Sequence, residues 1–283
     1  MDLSNENVIH VKKDGIEYLQ FRRLLEYKDR INHAYSLGTN VNFRTSRANG
    51  ELSKEEFLNT LNDYDKLCKS IGCDYKNIVK GIQKHTDNVK IISEKINKNA
   101  PDFGQKEYEN TDGLITNKTN LVLSSTSSDC ISLLFYDPVK NVIGNVHSGW
   151  RGTLKKISIK TVEKMVKEFG CNTEDIICCI CPSIRKCHFE VGEDVKEQFE
   201  KEFQDLGEDK LKEIIEKKDK EKKYNIDTVL INKIILERKG LKTKNIIDSK
   251  ICTMCNPKVL HSYRFEKENY GLNTALIELK EKM

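Results

Sequence analysis

Apolar and polar residues alternate between positions 8 and 37, with Gly15 and Gly38 as punctuation. Val8-Ile9-His10-Val11 and Ile16-Glu17-Tyr18-Leu19 therefore read as a hairpin turning at Lys13-Asp14-Gly15. Ile31-Asn32-His33-Ala34-Tyr35-Ser36 reads as a further strand. The period then changes. Ser53 precedes Glu56 by three residues, the spacing of a capping box. Phe57, Leu58, Leu61, Tyr64, Leu67 and Cys68 repeat at helical spacing up to Gly72. Residues 77 to 92 read as two short strands flanking a Gln83-Lys84-His85-Thr86 turn.

The polar segment from Asn97 to Tyr108 reads as a loop. Leu121-Val122-Leu123 reads as a short strand running into a Ser/Thr-rich turn. Ile131 to Asp137 and Val142 to His147 form a hairpin about Pro138-Val139-Lys140-Asn141. A helix is predicted from Thr153 to Phe169, with Leu154, Ile157, Val162, Met165 and Val166 on its apolar face and Gly170 as its stop. Ile176 to Ile180 has the continuous apolar character of a buried strand. Gly192 to Tyr224 reads as helical and charge-rich, its lysine run at 217 to 223 a solvated end. A helix from Thr228 to Lys239 and a strand near Ile246 to Ile251 complete the pattern. The fold class expected is α+β (mixed α/β), one domain over residues 1–283, with largely antiparallel sheet layers covered by helices.

Composition narrows the class. Of the 283 residues, 33% are charged with both signs interspersed, and the net charge is only +4. No one-sided basic stripe marks a nucleic-acid surface. No segment has the roughly 20 apolar residues that span a bilayer, so no membrane role is expected. The acidic start Met1-Asp2-Leu3-Ser4-Asn5-Glu6 lacks the apolar core of a signal peptide. Ten cysteines in such a chain are expected to be reduced thiols in the cytoplasm.

The candidate chemistry sits at His147-Ser148-Gly149-Trp150-Arg151-Gly152-Thr153. Antiparallel pairing of the 131–147 hairpin puts Cys130 and His147 at the same end of a sheet. His85 lies in a turn, where a polar side chain often faces a site. Two imidazoles and a thiolate suit Zn²⁺ with a fourth position open to water. The residues alone leave the ordinary readings open: a surface histidine and a cysteine that simply packs.

The same segment resembles the HAGWRGT signature of the laccase-domain proteins, the family described both as multicopper polyphenol oxidases and as purine nucleoside phosphorylases and adenosine deaminases. Asp129-Cys130-Ile131-Ser132-Leu133-Leu134-Phe135-Tyr136-Asp137-Pro138 resembles its DCxPxLxxDP segment. Residues Cys181 to Gly192 resemble its GPSIGPCCYEVG block. Cys252-Thr253-Met254-Cys255-Asn256-Pro257, with Ser262-Tyr263-Arg264, resembles its CTxCNP…SYR block. The four blocks fall in the family's order from about residue 40 to the C-terminus.

The resemblance implies metal ligation by His85, Cys130 and His147, with Zn²⁺ as cofactor and copper as the other ion suited to the donors. It implies phosphorolysis of a purine nucleoside (adenosine, inosine or 5′-methylthioadenosine) to the free base and ribose 1-phosphate, with adenosine deamination as a second activity. Purine nucleoside and phosphate are then the partners, with no nucleic acid and no membrane. Arg151 is expected to hold phosphate or orient substrate beside a helix start at Thr153; the alternative is an ion pair with Asp129. Asp129 is expected as a general acid or as the partner of a ligating histidine. Asn42, in a segment resembling the family's LNL, is expected to contact substrate. Thr86 replaces the glycine of the family's QxHG turn. Cys181 replaces a glycine and Arg185-Lys186 a Gly-Pro pair, so this loop departs from the family's pattern. Cys187 is read as a buried structural thiol.

Two other functions compete. A copper polyphenol oxidase of the multicopper kind needs many imidazoles, and this chain has six histidines. A non-catalytic metal protein would supply a fourth ligand, for which His188 is the candidate. The pairs Cys178/Cys181 and Cys252/Cys255 have CxxC spacing, but residues three apart in a strand face opposite sides, so a zinc site built from both pairs is not expected.

Overall fold

The computed structural model describes residues 1–46, 52–218 and 222–281. Its chain forms a mixed α/β fold around two large sheets. The seven-stranded sheet runs, edge to edge, Val8–Lys13, Ile16–Phe21, Ile31–Leu37, Asn273–Leu279, Val122–Ser127, Ile78–Lys80 and Asp102–Phe103. Its pairs are antiparallel except at Ile78–Lys80, which pairs in parallel with both neighbours. The six-stranded sheet runs Ile246–Asp248, Ile177–Ile180, Ile131–Asp137, Val142–Ser148, Gly113–Thr116 and Val89–Ile91.

The two sheets pack face to face, and side-chain alternation explains how. Along Ile131–Asp137, Leu134 and Tyr136 enter the core between the sheets, where they meet Leu123, Ala275 and Ile277. Ile131, Leu133 and Phe135 point the other way, under the helices Ile157–Phe169 and Thr228–Arg238. Both faces of the strand are covered, which is why its sequence is continuously apolar. Fully burying each such side chain stabilises by about 1.5–3 kcal/mol. Asn145 is a polar residue that crosses this interior: its side-chain amide donates to the carbonyls of Leu123 and Ala275, each at 2.8 Å. Helix Lys54–Ile71 covers the outer face of the larger sheet through Tyr64, Leu67 and Cys68. Ser53 and Glu56 form the expected capping box, and Gly72 closes the helix in the left-handed region.

Several expectations change. The helix expected from Thr153 is two helices, Trp150–Leu154 and Ile157–Phe169, parted at Lys156 with φ 56°. Buried Asn232 sits at the joint: its amide donates to Thr153 Oγ1 and its carbonyl accepts from Ser158 Oγ. Val166 lies on the exposed side of the second helix, off its apolar face. The Ser/Thr tract after Leu123 is strand, not turn, because it pairs with Asn273–Leu279 and its hydroxyls find partners: Ser124 with Thr274 of that neighbouring strand, and Ser125 with Ser132 of the facing sheet. The loop expected at 97–108 contains the edge strand Asp102–Phe103 and one 3₁₀ turn.

The charge-rich stretch after Gly192 breaks at Gly207 (φ 86°) into helices Glu193–Glu202 and Glu208–Ile214, then turns to strand. There Ile215–Lys217 pairs with Lys223–Ile226 in a small third sheet with Glu190–Gly192. Within the lysine run, residues 219–221 lie outside the described residues.

Candidate metal centre

The hairpin register opposes His147 to Ser132 and Ser148 to Ile131. Cys130 therefore stands one step beyond the paired strands, level with the turn at Gly149. The turn carrying His85 connects two strands that belong to different sheets and so passes over the end of the sandwich. Gln83 anchors that turn: its side-chain amide donates to the Thr126 carbonyl at 2.8 Å and accepts from the Thr126 amide at 2.9 Å.

The structure brings His85, Cys130 and His147 together. One donor atom from each lies within 4.8 Å of the other two, and Cys130 Sγ is 3.8 Å from His85 Nε2. A thiolate and an imidazole on one tetrahedral zinc stand about 3.5 Å apart, so the donors fit a borderline-soft ion. Gly149 supplies the room. A Cβ there would meet His85 Cδ2 at 2.6 Å and Cys130 Sγ at 3.0 Å. His85 is exposed, Cys130 half-buried and His147 buried, so the cluster opens to solvent on the His85 side.

A residue absent from the sequence reading organises this geometry. Asp112 is buried, and its Oδ1 accepts from His147 Nδ1 at 2.8 Å and from the His85 amide at 3.1 Å. Its Oδ2 accepts from the amides of Lys84 and Thr86 and from the Thr86 hydroxyl. Three successive amides thus converge on one carboxylate, and His85 reaches them with φ 57°, an uncommon conformation for a side-chain-bearing residue. The strained residue is His85 itself. Thr86, at the glycine position of the turn, adds its hydroxyl to the same acceptor. With Nδ1 committed to Asp112, His147 presents Nε2 to the cluster, the arrangement typical of a ligating histidine.

The charges follow from this contact set. Burial alone would raise the Asp112 carboxyl, but hydrogen bonds from His147 and Thr86 hold it down to about 2. Burial would likewise lower His147, yet Cys130 and Asp112 bring it up to about 9. Burial would raise the Cys130 thiol, while the charge on His147 and hydrogen bonds from both histidines bring it down to about 6. Without metal this contact set favours a Cys130 thiolate beside a His147 imidazolium; an ion would take the thiolate as it stands and displace the His147 proton.

The remaining expected residues are placed differently. Asp129 is not the partner of a ligating histidine; Asp112 fills that place. Nor does it pair with the Arg151 side chain. Its oxygens accept from Thr253 Oγ1 at 2.5 Å, Ser262 Oγ at 2.8 Å and the Arg264 amide at 2.7 Å. Burial pushes its carboxyl up. Arg151 is exposed and lies in the five-residue helix Trp150–Leu154, not before a helix start at Thr153. Its guanidinium stacks 4.1 Å over the Trp150 ring. Asn42 is exposed, and its side-chain carbonyl accepts from the amides of Arg44 and Leu272, which ties two loops together. His188 is not a fourth ligand of this cluster; it stands with Cys187, Cys252 and Cys255. Cys187 is exposed, not buried. Cys178 faces the helix-side core and Cys181 the core between the sheets, as strand alternation requires. Asp112 carried no spacing signal, since nothing in Thr111-Asp112-Gly113 links it to positions 85 or 147.

Comparison with known proteins places the chain. It belongs to the family described as multi-copper polyphenol oxidoreductase laccase, whose pattern spans residues 46–280. It is 34% identical to the mouse purine nucleoside phosphorylase LACC1 over 183 residues, 63% of this chain and 40% of that protein. The chain thus spans about two fifths of LACC1. It is 29% identical over 252 residues to the Bacillus subtilis purine nucleoside phosphorylase YlmD, covering 82% of this chain and 86% of the relative. An adenosine deaminase, RL5, from an unknown prokaryotic organism is 27% identical over 221 residues, 78% of this chain and 80% of the relative. The crystal structure of YlmD from Geobacillus stearothermophilus has the same fold, with a TM-score of 0.80 at 18% identity over 97% of this chain and all of that one.

Proposed function

We propose that this chain is a zinc-dependent purine nucleoside phosphorylase acting on adenosine, inosine or 5′-methylthioadenosine, with adenosine deamination as a second reaction of the same site. The observation that carries the reading is the cluster of three donors, two imidazoles and one thiolate, open on one side and backed by Asp112. The names borne by YlmD, LACC1 and RL5 support the substrate class.

His85, Cys130 and His147 would hold the ion. When bound there, zinc supplies Lewis acidity and lowers the pKa of a coordinated water toward about 7. Phosphorolysis asks more of the chain itself. A phosphate oxygen must bond to C1′ of the ribose as the C1′–N9 bond breaks and its electron pair leaves with the purine. Arg151 offers an exposed guanidinium whose Cζ lies 4.1 Å from the Trp150 ring centroid, close in sequence to the His147 ligand. In this reading Arg151 binds the phosphate, and Asp129 acts as a positioning residue that holds the loops at 253 and 262–264 around Cys130. No role in substrate binding is kept for the Asn42 side chain beyond holding its loop.

The copper oxidase reading is disfavoured by where the histidines lie. His10 bonds Glu17, buried His33 accepts from the Phe21 amide, and His261 bonds Glu266 and the Val41 carbonyl. His188 belongs to a separate cluster, which leaves only His85 and His147 together, far short of a multicopper centre.

The test is to incubate zinc-loaded protein with inosine and phosphate and to resolve the products by chromatography. Hypoxanthine and ribose 1-phosphate are expected, with no product from a His147→Ala variant. Absence of product from the loaded wild-type protein, while a control phosphorylase turns over, would refute the assignment.

A further inference from the structure

A second group of donors lies at the loops joined to Asp129. Cys187, His188, Cys252 and Cys255 each offer one atom, and all four atoms lie within 4.8 Å of one another. Cys187 Sγ is 3.7 Å from Cys252 Sγ and 3.8 Å from Cys255 Sγ. His188 Nδ1 is 3.2 Å from Cys187 Sγ, 3.4 Å from Cys255 Sγ and 3.8 Å from Cys252 Sγ.

These five separations match the edges expected of a coordination tetrahedron. Three sulfurs at about 2.3 Å and one nitrogen at about 2.0 Å from a zinc ion stand about 3.8 Å apart for sulfur–sulfur and about 3.5 Å for sulfur–nitrogen. A disulfide needs its sulfurs at about 2.05 Å, and all three cysteines are free. The donor chemistry selects the same class of ion. Three thiolates and an imidazole form a structural Cys₃His set, with every corner filled by protein and none left for water. Cys252 is buried while Cys187 and Cys255 are exposed, which leaves an entry path from solvent.

We propose that Cys187, His188, Cys252 and Cys255 form a second, closed metal site that binds Zn²⁺ structurally. The ion would clamp the segment at 183–192 to the segment at 249–264. Those segments already touch through the bridge of Ser183 with Cys252 and through Arg264, whose guanidinium donates to the carbonyls of His188 and Glu190. The second segment also supplies Thr253, Ser262 and the Arg264 amide to Asp129. The clamp thereby supports the loop that presents Cys130. It assigns a use to the Cys252/Cys255 pair without the strand cysteines at 178 and 181.

The proposal stands whether or not the first centre phosphorolyses nucleosides, and the test keeps the two apart. Full-length protein is purified from zinc-supplemented culture and its metal measured by mass spectrometry. Wild-type protein should carry two ions, one for each donor group. A His85→Ala/Cys130→Ala/His147→Ala variant should keep one, and with cobalt in place of zinc it should show intense thiolate-to-metal charge transfer and tetrahedral d–d bands. A Cys187→Ser/Cys255→Ser variant should lose one ion and most of that charge transfer. A folded triple variant without metal, or one whose cobalt spectrum lacks thiolate bands, overturns the proposal. So does retention of both ions by Cys187→Ser/Cys255→Ser, or a disulfide found among the three cysteines in the native protein. Failure of the inosine assay alone bears only on the first centre.

Discussion

Asp112 Oδ1 accepts from His147 Nδ1 at 2.8 Å while the same carboxylate gathers three consecutive amides of the turn that carries His85. One buried side chain thus sets both histidines of the cluster. It fixes the tautomer of one and the backbone conformation of the other. An Asp112→Asn variant should keep its fold yet bind metal roughly 10- to 100-fold more weakly, the usual cost of losing such a partner. Competition against a chelator of known affinity measures this, and unchanged affinity would remove Asp112 from its organising role.

Gly149 bears on the same cluster through His85 and Cys130. A methyl group there meets His85 Cδ2 at 2.6 Å and Cys130 Sγ at 3.0 Å. Relief requires His85 or Cys130 to move. Gly149→Ala should therefore lose metal occupancy and activity while destabilising the fold by only about 1–3 kcal/mol, the range for local overpacking. Metal content and thermal unfolding on the same sample separate the two effects. Full occupancy in the variant would show that the donors tolerate the shift.

Arg151 has no carboxylate partner among the described residues and rests on Trp150. If it binds phosphate, Arg151→Ala should raise the KM for phosphate at least tenfold with metal content unchanged, since a lost charge-assisted contact costs about 1.5–3 kcal/mol. Arg151→Lys should recover part of the loss, keeping the charge without the planar fork. An unaltered phosphate KM in Arg151→Ala would move the anion site elsewhere.

Glu278 provides a pH test outside both donor clusters. It is 5% exposed on Asn273–Leu279, accepts from the Asn32 amide at 2.9 Å, and burial pushes its carboxyl up to about 7. The folded state therefore favours the protonated form more than the unfolded chain does. Its contribution to stability is fully present below the unfolded value near 4.5 and is lost as pH rises through about 7. Glu278→Gln should then be close to neutral at pH 4 and stabilising by roughly 1–3 kcal/mol at pH 8, from about 1.36 kcal/mol per unit. Urea unfolding at the two pH values checks the sign; greater stabilisation at pH 4 than at pH 8 would contradict it.

Much of this protein is written locally. The hairpin at 8–21, the capped helix Lys54–Ile71 and the hairpin that aligns Cys130 with His147 follow from alternation, capping residues and turn chemistry among near neighbours. The order of the motif blocks was enough to indicate the family, now matched over residues 46–280. Local pattern failed where distant partners decide the outcome. Ser124 to Ser127 look like a turn until the strand at 273–279 pairs along all four, with Lys80 on the other side of Ser124. The chain after Gly192 looks helical until Lys223–Ile226 recruits residues 215–217.

The same division runs through the candidate sites. The sequence by itself determined the donor chemistry: which cysteines and histidines exist, and that one cysteine and one histidine share a sheet end. Only the tertiary structure decided that Asp112, 27 residues from His85 and 35 from His147, binds both. It alone brought Cys187 and His188 to Cys252 and Cys255 across more than 60 residues. The physical reason is that a hydrogen bond or a coordination shell is a relation in space. Alternation and helical period constrain neighbours a few residues apart, whereas contacts across the sandwich are fixed only when the whole hydrophobic core closes.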